Sequence, residues 1–152
     1  MARAKAKSDR HGLYDPDFNL WVEEQLALLE AGAFERLDLA NLIEEIADVA
    51  RSQRNAIRGD LVLLLTHLLN WQHQPQGRST SWAGSIVEHR QRIRDEIKDS
   101  PSLAGYPGET LERCYLAARE PAAAETCLPQ SRFPQTSPYT LEQALDPEFL
   151  PG

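Results

Sequence analysis

A chain of 152 residues with 41% hydrophobic and 26% charged side chains is long enough for one hydrophobic core and has the balance of a folded globular protein, which excludes a disordered or fibrous class. Two cysteines, Cys114 and Cys127, have no CxxC or similar metal or redox spacing, and both read as reduced packing residues, with a disulfide as the lesser alternative. The net charge of −7 is banded: Lys and Arg against Asp and Glu run 4 to 1 over residues 1–10, 1 to 10 over 11–50, 8 to 4 over 51–98 and 3 to 8 over 99–152.

In chain order, residues 1–13 form a basic arm without periodicity, and 14–152 read as a single helical domain. "YDPDFNLWVEEQLALLEAG" predicts a first helix with Asp15 as N-cap, Pro16 at its first position and Gly32 at its stop. Its inward stripe is Phe18, Trp21, Val22, Gln25, Leu28 and Leu29. "LDLANLIEEIADVARSQRNAIRGDLVLLLTHLLNWQ" carries apolar residues at steps of three and four from Leu39 to Trp71. It predicts one helix capped by Asp38, or two halves hinged at Gly59, and forms the axis of the fold because Leu61–Leu69 is apolar nearly all round. That run is too short to span a bilayer, and "MARAKAKSDR" has no apolar stretch behind its basic residues, so a cytoplasmic protein is expected.

Pro75 and Gly77 break the pattern, and "STSWAGSIVEHRQRIRDEIKDS" restarts it with Ser79 or Thr80 as cap and Trp82, Ile86, His89, Ile93 and Ile97 inward. A turn at "SPSLAGYPGE" leads to "ETLERCYLAAREPAAAETC", a fourth helix with Leu111, Tyr115 and Ala118 inward that Pro121 kinks or ends. "LPQSRFPQTSPYTLEQALDPEFLPG" has five prolines and predicts an extended path over the surface with one short helix near Thr140–Leu145. The fold class is therefore all-α, a helical bundle around a long central helix with a proline-rich C-terminal segment.

The strings "YDPDF", "LDLANLIEEI", "HLLNWQHQP", "RSTSW", "DSPSL" and "PYTLEQALDPEFLP", in this order, resemble a bacterial family catalogued as domain of unknown function twenty-nine. The resemblance covers nearly everything after residue 13. It implies an almost wholly helical fold and carries no catalytic residues over. The family's pattern more usually has an aromatic where His73 stands.

The richest stretch is "HLLNWQHQPQGRSTSW", residues 67–82. His67 and His73 are six apart, no HExxH or ExxH occurs, and no cofactor or bound metal is expected. The one metal-like arrangement left is His67 meeting His89 across two helices with Glu45 or Asp60. Ser79 and Ser81 read as caps, nothing resembles GxSxG, and Cys114 lies mid-helix. Arg78 precedes a helix N-terminus beside Ser79, Thr80 and Ser81, where an anion or a partner's carboxylate could sit; the plainer reading is a salt bridge to an acid of the first helix. His67, Trp71, His73, Arg78, Trp82 and His89 are thus the candidate binding residues. Arg51, Arg54, Arg58, Arg90, Arg94 and Lys98 form stripes at helical spacing that could meet nucleic acid, without the interleaved aromatics that single strands require.

These readings favour a non-enzymatic protein-binding or regulatory module whose partner is another protein. The alternatives are an RNA- or DNA-binding accessory using the arginine stripes, and a small-ligand-binding protein or hydrolase using residues 67–90. Trp71, Trp82 and Leu64 are expected to be substantially buried where the inward stripes meet.

Overall fold

A computed structural model describes residues 12–152, so the expected basic arm lies, up to residue 11, outside the described residues. Among the described residues there are five α-helices and no strand: α1 Phe18–Glu30, α2 Leu39–His73, α3 Thr80–Asp99, α4 Tyr106–Thr126 and α5 Leu141–Leu145. None of these helices is long and apolar enough to cross a membrane. The all-helical class and the long helix α2 are as expected. The chain divides into two compact units, Met1–Ala50 and Arg51–Gly152.

In the first unit α1 begins later than Asp15–Pro16. Residues 12–16 form turns, Asp17 N–H donates to the Leu13 carbonyl at 2.8 Å, and the Asp17 carboxylate accepts from Leu20 N–H at 3.0 Å, which makes Asp17 the cap. Gly32 ends the helix at a φ of 69°, a left-handed conformation that suits glycine. The inward stripe is narrower than the sequence suggests. Trp21, Gln25 and Leu28 are buried, whereas Phe18, Val22 and Leu29 are exposed. Successive helical residues differ by about 100° in direction, so positions 22 and 29 leave the face that 21 and 28 share. Asp38 is the polar hub of the unit. Its carboxylate accepts from the Trp21 indole at 3.1 Å and the Asn41 amide at 2.8 Å, while its own backbone N–H donates to the Gln25 side chain at 2.8 Å. Tyr14 donates its hydroxyl to Glu45, and that bond, with burial and neighbouring carboxylates, pushes the phenol up to about 12.

In the second unit α2, α3 and α4 bury Leu61, Leu64, Leu65, Leu68, Leu69, Ile86, Ile93, Tyr115 and Ala118 together. Each fully buried leucine contributes roughly 1.5–3 kcal/mol by transfer from water. α2 runs through Gly59 as one unbroken helix. Ser79 caps α3 by accepting from Trp82 N–H at 3.2 Å. α4 starts at Tyr106 with Pro107 in its first turn and continues past Pro121 to Thr126, so Pro121 neither ends it nor marks its boundary. It stops at Cys127, whose φ of 56° puts a non-glycine residue in left-handed backbone. Cys127 is exposed, which corrects its reading as a packing residue, while Cys114 is buried as expected. Trp71 and Trp82 are half-buried and only Leu64 belongs to the sealed core, because the corner lies where the helices end.

The proline-rich segment has no regular ladder, and arginines hold it. Arg90, only 2% exposed, donates to the carbonyls of Ala144 at 2.8 Å, Pro147 at 3.5 Å and Phe149 at 2.7 Å. Arg94 reaches the Leu145 carbonyl at 2.8 Å, and Arg119 reaches those of Gln130 and Phe133 at 3.3 and 3.4 Å. Tyr115 donates to the Pro134 carbonyl at 2.7 Å and Tyr139 to the Gln72 side chain at 2.6 Å. Phe133, Tyr139 and Ala144 thereby enter the core, and Thr140 with Gln143 closes a capping box on α5.

Two outcomes are expected in denaturant titration. Arg90→Ala should cost about 2–4 kcal/mol, since it strands carbonyls that a charged donor satisfies, and Arg90→Lys should recover little because an ammonium lacks the guanidinium fork. Cys127→Gly should stabilise by about 1 kcal/mol by relieving the left-handed backbone. No gain from the glycine would show that the Cys127 backbone carries no strain.

Candidate functional site

Within the second unit, Asp60 and His67 lie two turns apart on α2 and therefore on one face, and α3 brings His89 to the same place. His89 Nδ1 donates to Asp60 Oδ1 at 2.8 Å, and the His67 and His89 rings stack with centroids 6.2 Å apart and planes 8° apart. The convergence considered from the sequence therefore occurs, and of the two acids considered Asp60 is the one bonded to it. Arg92 stands 3.9 Å from the same Asp60 oxygen. One turn beyond His67, the fully buried Asn70 donates to Glu125 of α4. His67 Nδ1 and Asn70 Oδ1 are both buried without a hydrogen-bond partner in the protein.

Desolvation lowers the pKa of His67 from the usual histidine value, with Glu125 opposing the shift and His89 adding to it. Chemically the pair is an Asp–His dyad with a second, neutral imidazole against it. Asp60 fixes the His89 tautomer with the proton on Nδ1. Among the described residues no hydroxyl or thiol is hydrogen-bonded to either ring, and no three His, Cys, Asp or Glu side chains gather as a metal would need.

The corner at 71–82 is built by packing. The Arg78 guanidinium lies 5.1 Å from the centre of the Trp71 ring, and its Nε donates to the Trp71 carbonyl at 2.8 Å. A further Arg78 nitrogen reaches the Pro151 carbonyl at 3.5 Å. Arg78 is thus held by carbonyls, where the sequence suggested an acid of α1. Trp82 lies over Gly77 so closely that an added Cβ there would stand 2.9 Å from Cη2 of the indole. His73 packs edge-on against Phe133 at 4.9 Å, doing the work of an aromatic, and burial followed by the nearby Arg132 lowers its pKa.

The arginine stripes are not one surface. Arg90 is buried and Arg94 is bonded to a carbonyl. Arg54 sits 6.0 Å over the Tyr106 ring and Arg58 donates to Asn55 at 2.6 Å, while Arg51 and Lys98 are exposed.

The sequence reading missed a different feature, in the first unit. Of the fourteen exposed large hydrophobics among the described residues, ten lie between Phe18 and Val49. Ile43, Ile46 and Val49 are 64, 69 and 65% exposed although they belong to the apolar periodicity of α2. Periodicity marks an apolar stripe without saying what covers it, so only the contacts could separate this part of the stripe from the core.

His67 supplies a pH dependence. The unfolded chain protonates near 6.5 while folded His67 resists the proton, so stability falls as pH drops through that value toward the lower folded pKa. Unfolding measured between about pH 7 and pH 5 should show a shallower loss in His67→Gln than in the wild type. A residual slope remains from His73, whose pKa is also lowered. Identical slopes would remove His67 from the account.

No curated protein and no solved structure matches the chain. The family described as Domain of unknown function DUF29 matches residues 13–150, the span over which the sequence resemblance runs. The chain belongs to the DUF29 family.

Proposed function

We propose that this DUF29 chain is a protein-binding module that docks its partner on the apolar face of the first unit. One observation carries the reading: the concentration of exposed large hydrophobics between Phe18 and Val49, ten of the fourteen among the described residues. Exposing such side chains as a contiguous surface costs solubility, and monomeric proteins seldom keep large apolar patches that have no interaction role. The rest of the chain favours this reading over the two alternatives. Three of the basic residues considered for nucleic acid or anions, Arg78, Arg90 and Arg94, are hydrogen-bonded to the protein's own carbonyls. The His67–His89 pair has no nucleophile hydrogen-bonded to it among the described residues.

A photo-crosslinking side chain at Ile46, compared with one at the likewise exposed Leu116 of α4, tests the face directly. Covalent capture of the same protein from Ile46 and from Val49 but not from Leu116 is the expected result. The double variant Ile43→Glu, Ile46→Glu should abolish capture while changing stability by less than about 0.5 kcal/mol, as exposed helical positions do. Capture from Leu116 alone, or capture unaffected by the double variant, would move the binding surface elsewhere.

A further inference from the structure

The partner's chemistry can be read from the margins of the same face. We infer that the occupant is a cationic amphipathic α-helix of another protein, laid between α1 and the start of α2; this rests on the docking reading above.

Contacts across the seam between the two helices run in opposite directions. Trp21 and Gln25 bond to Asp38, whereas the earlier Tyr14 bonds to the later Glu45. The two segments are therefore antiparallel. In each, the residue after a seam residue is apolar and exposed: Val22 follows Trp21, Leu29 follows Leu28, Leu39 follows Asp38 and Ile46 follows Glu45. One residue is a rotation of about 100°. For antiparallel helices facing each other, the same right-handed rotation away from the seam carries both stripes to the same side of the hairpin. The result is one trough floored by two apolar ridges, the geometry into which a third helix packs.

A further step of one residue reaches the outer margin. On α1 this brings Glu23 after Val22 and Glu30 after Leu29, whereas on α2 Ala40 follows Leu39, Ala47 follows Ile46 and Glu44 follows Ile43. The carboxylates of this margin lie mainly on α1, in a segment, residues 11–50, with ten acids and one base, Arg36. A second copy docking by this face would set carboxylates against carboxylates. A helix with an apolar stripe bordered by lysines or arginines fits instead, its long side chains lying over the ridges with their charges at that margin.

The test uses the full chain and three labelled synthetic peptides: a Leu/Lys peptide with helical amphipathic spacing, its Leu/Glu counterpart, and a Leu/Lys peptide of scrambled order. The first should bind at least about tenfold more tightly than either other (about 1.4 kcal/mol) and should weaken as salt rises. Ile46→Glu should remove binding. Glu23→Lys, Glu30→Lys, which leaves the ridges untouched, should reduce it, with circular dichroism confirming an unchanged fold in both variants. Equal binding of the Leu/Glu peptide, or of the scrambled one, overturns the inference. So does a concentration-dependent dimer lost in Ile46→Glu, since the occupant is then a second copy. If no peptide binds yet Ile46 captures a partner, the docking reading stands and the cationic helix falls; if neither occurs, both fall.

Discussion

The second unit depends on one constraint: a segment rich in proline cannot satisfy its own backbone. Pro129, Pro134, Pro138, Pro147 and Pro151 after α4 each remove a backbone donor, and among the described residues there is no strand for the segment to pair with, so several of its carbonyls find donors elsewhere. Guanidinium groups answer this, because each offers several N–H bonds in a rigid fork. Arg90 can stay charged while nearly inaccessible only because three carbonyls surround it. Burial lowers its pKa, with Asp146 opposing the shift, yet an arginine starts so high that it keeps its charge.

The clamps also explain why basic residues at helical spacing do not amount to a basic surface. Arg90 is sealed from solvent, and the exposed Arg78 and Arg94 and the half-buried Arg119 have part of their donor set committed to backbone carbonyls, so their charges do not line up as one open surface. The same clamps bring Phe133, Tyr139 and Ala144 against α2 and α4, so the irregular segment completes a core that three helices leave open. The His67–His89 stack sits at the edge of that core, polar but anchored by Asp60. It is a source of pH sensitivity whether or not anything binds there.

The first unit follows a different rule. Its order comes from a small polar hub, Asp38 with Trp21, Gln25 and Asn41, and from the aromatic group of Tyr14, Phe18 and Trp21. That leaves most of its apolar side chains outside. The second unit hides most of its large apolar side chains and the first displays most of its own. This contrast makes the binding reading physical, because the exposed stripe is continuous with a periodicity that ordinarily signals a core.

Much of this was legible in the sequence. Helical periodicity, a cap at Ser79 or Thr80, Gly32 as a stop, the short helix near Thr140–Leu145 and the break at Pro75–Gly77 are local properties of the chain, settled by backbone geometry and hydrogen bonds within a few residues. The family resemblance was legible for the same reason, since it rests on strings of residues. Partner choice was not. Whether Arg78 meets an acid or a carbonyl, whether Trp82 is sealed or half open, and whether Ile43 and Ile46 face protein or water depend on what the rest of the chain places opposite them. The convergence of His67 with His89 stood as one option among several until α2 and α3 were seen to pack. A one-dimensional pattern specifies which face of a helix is apolar or charged; only tertiary packing decides what that face meets.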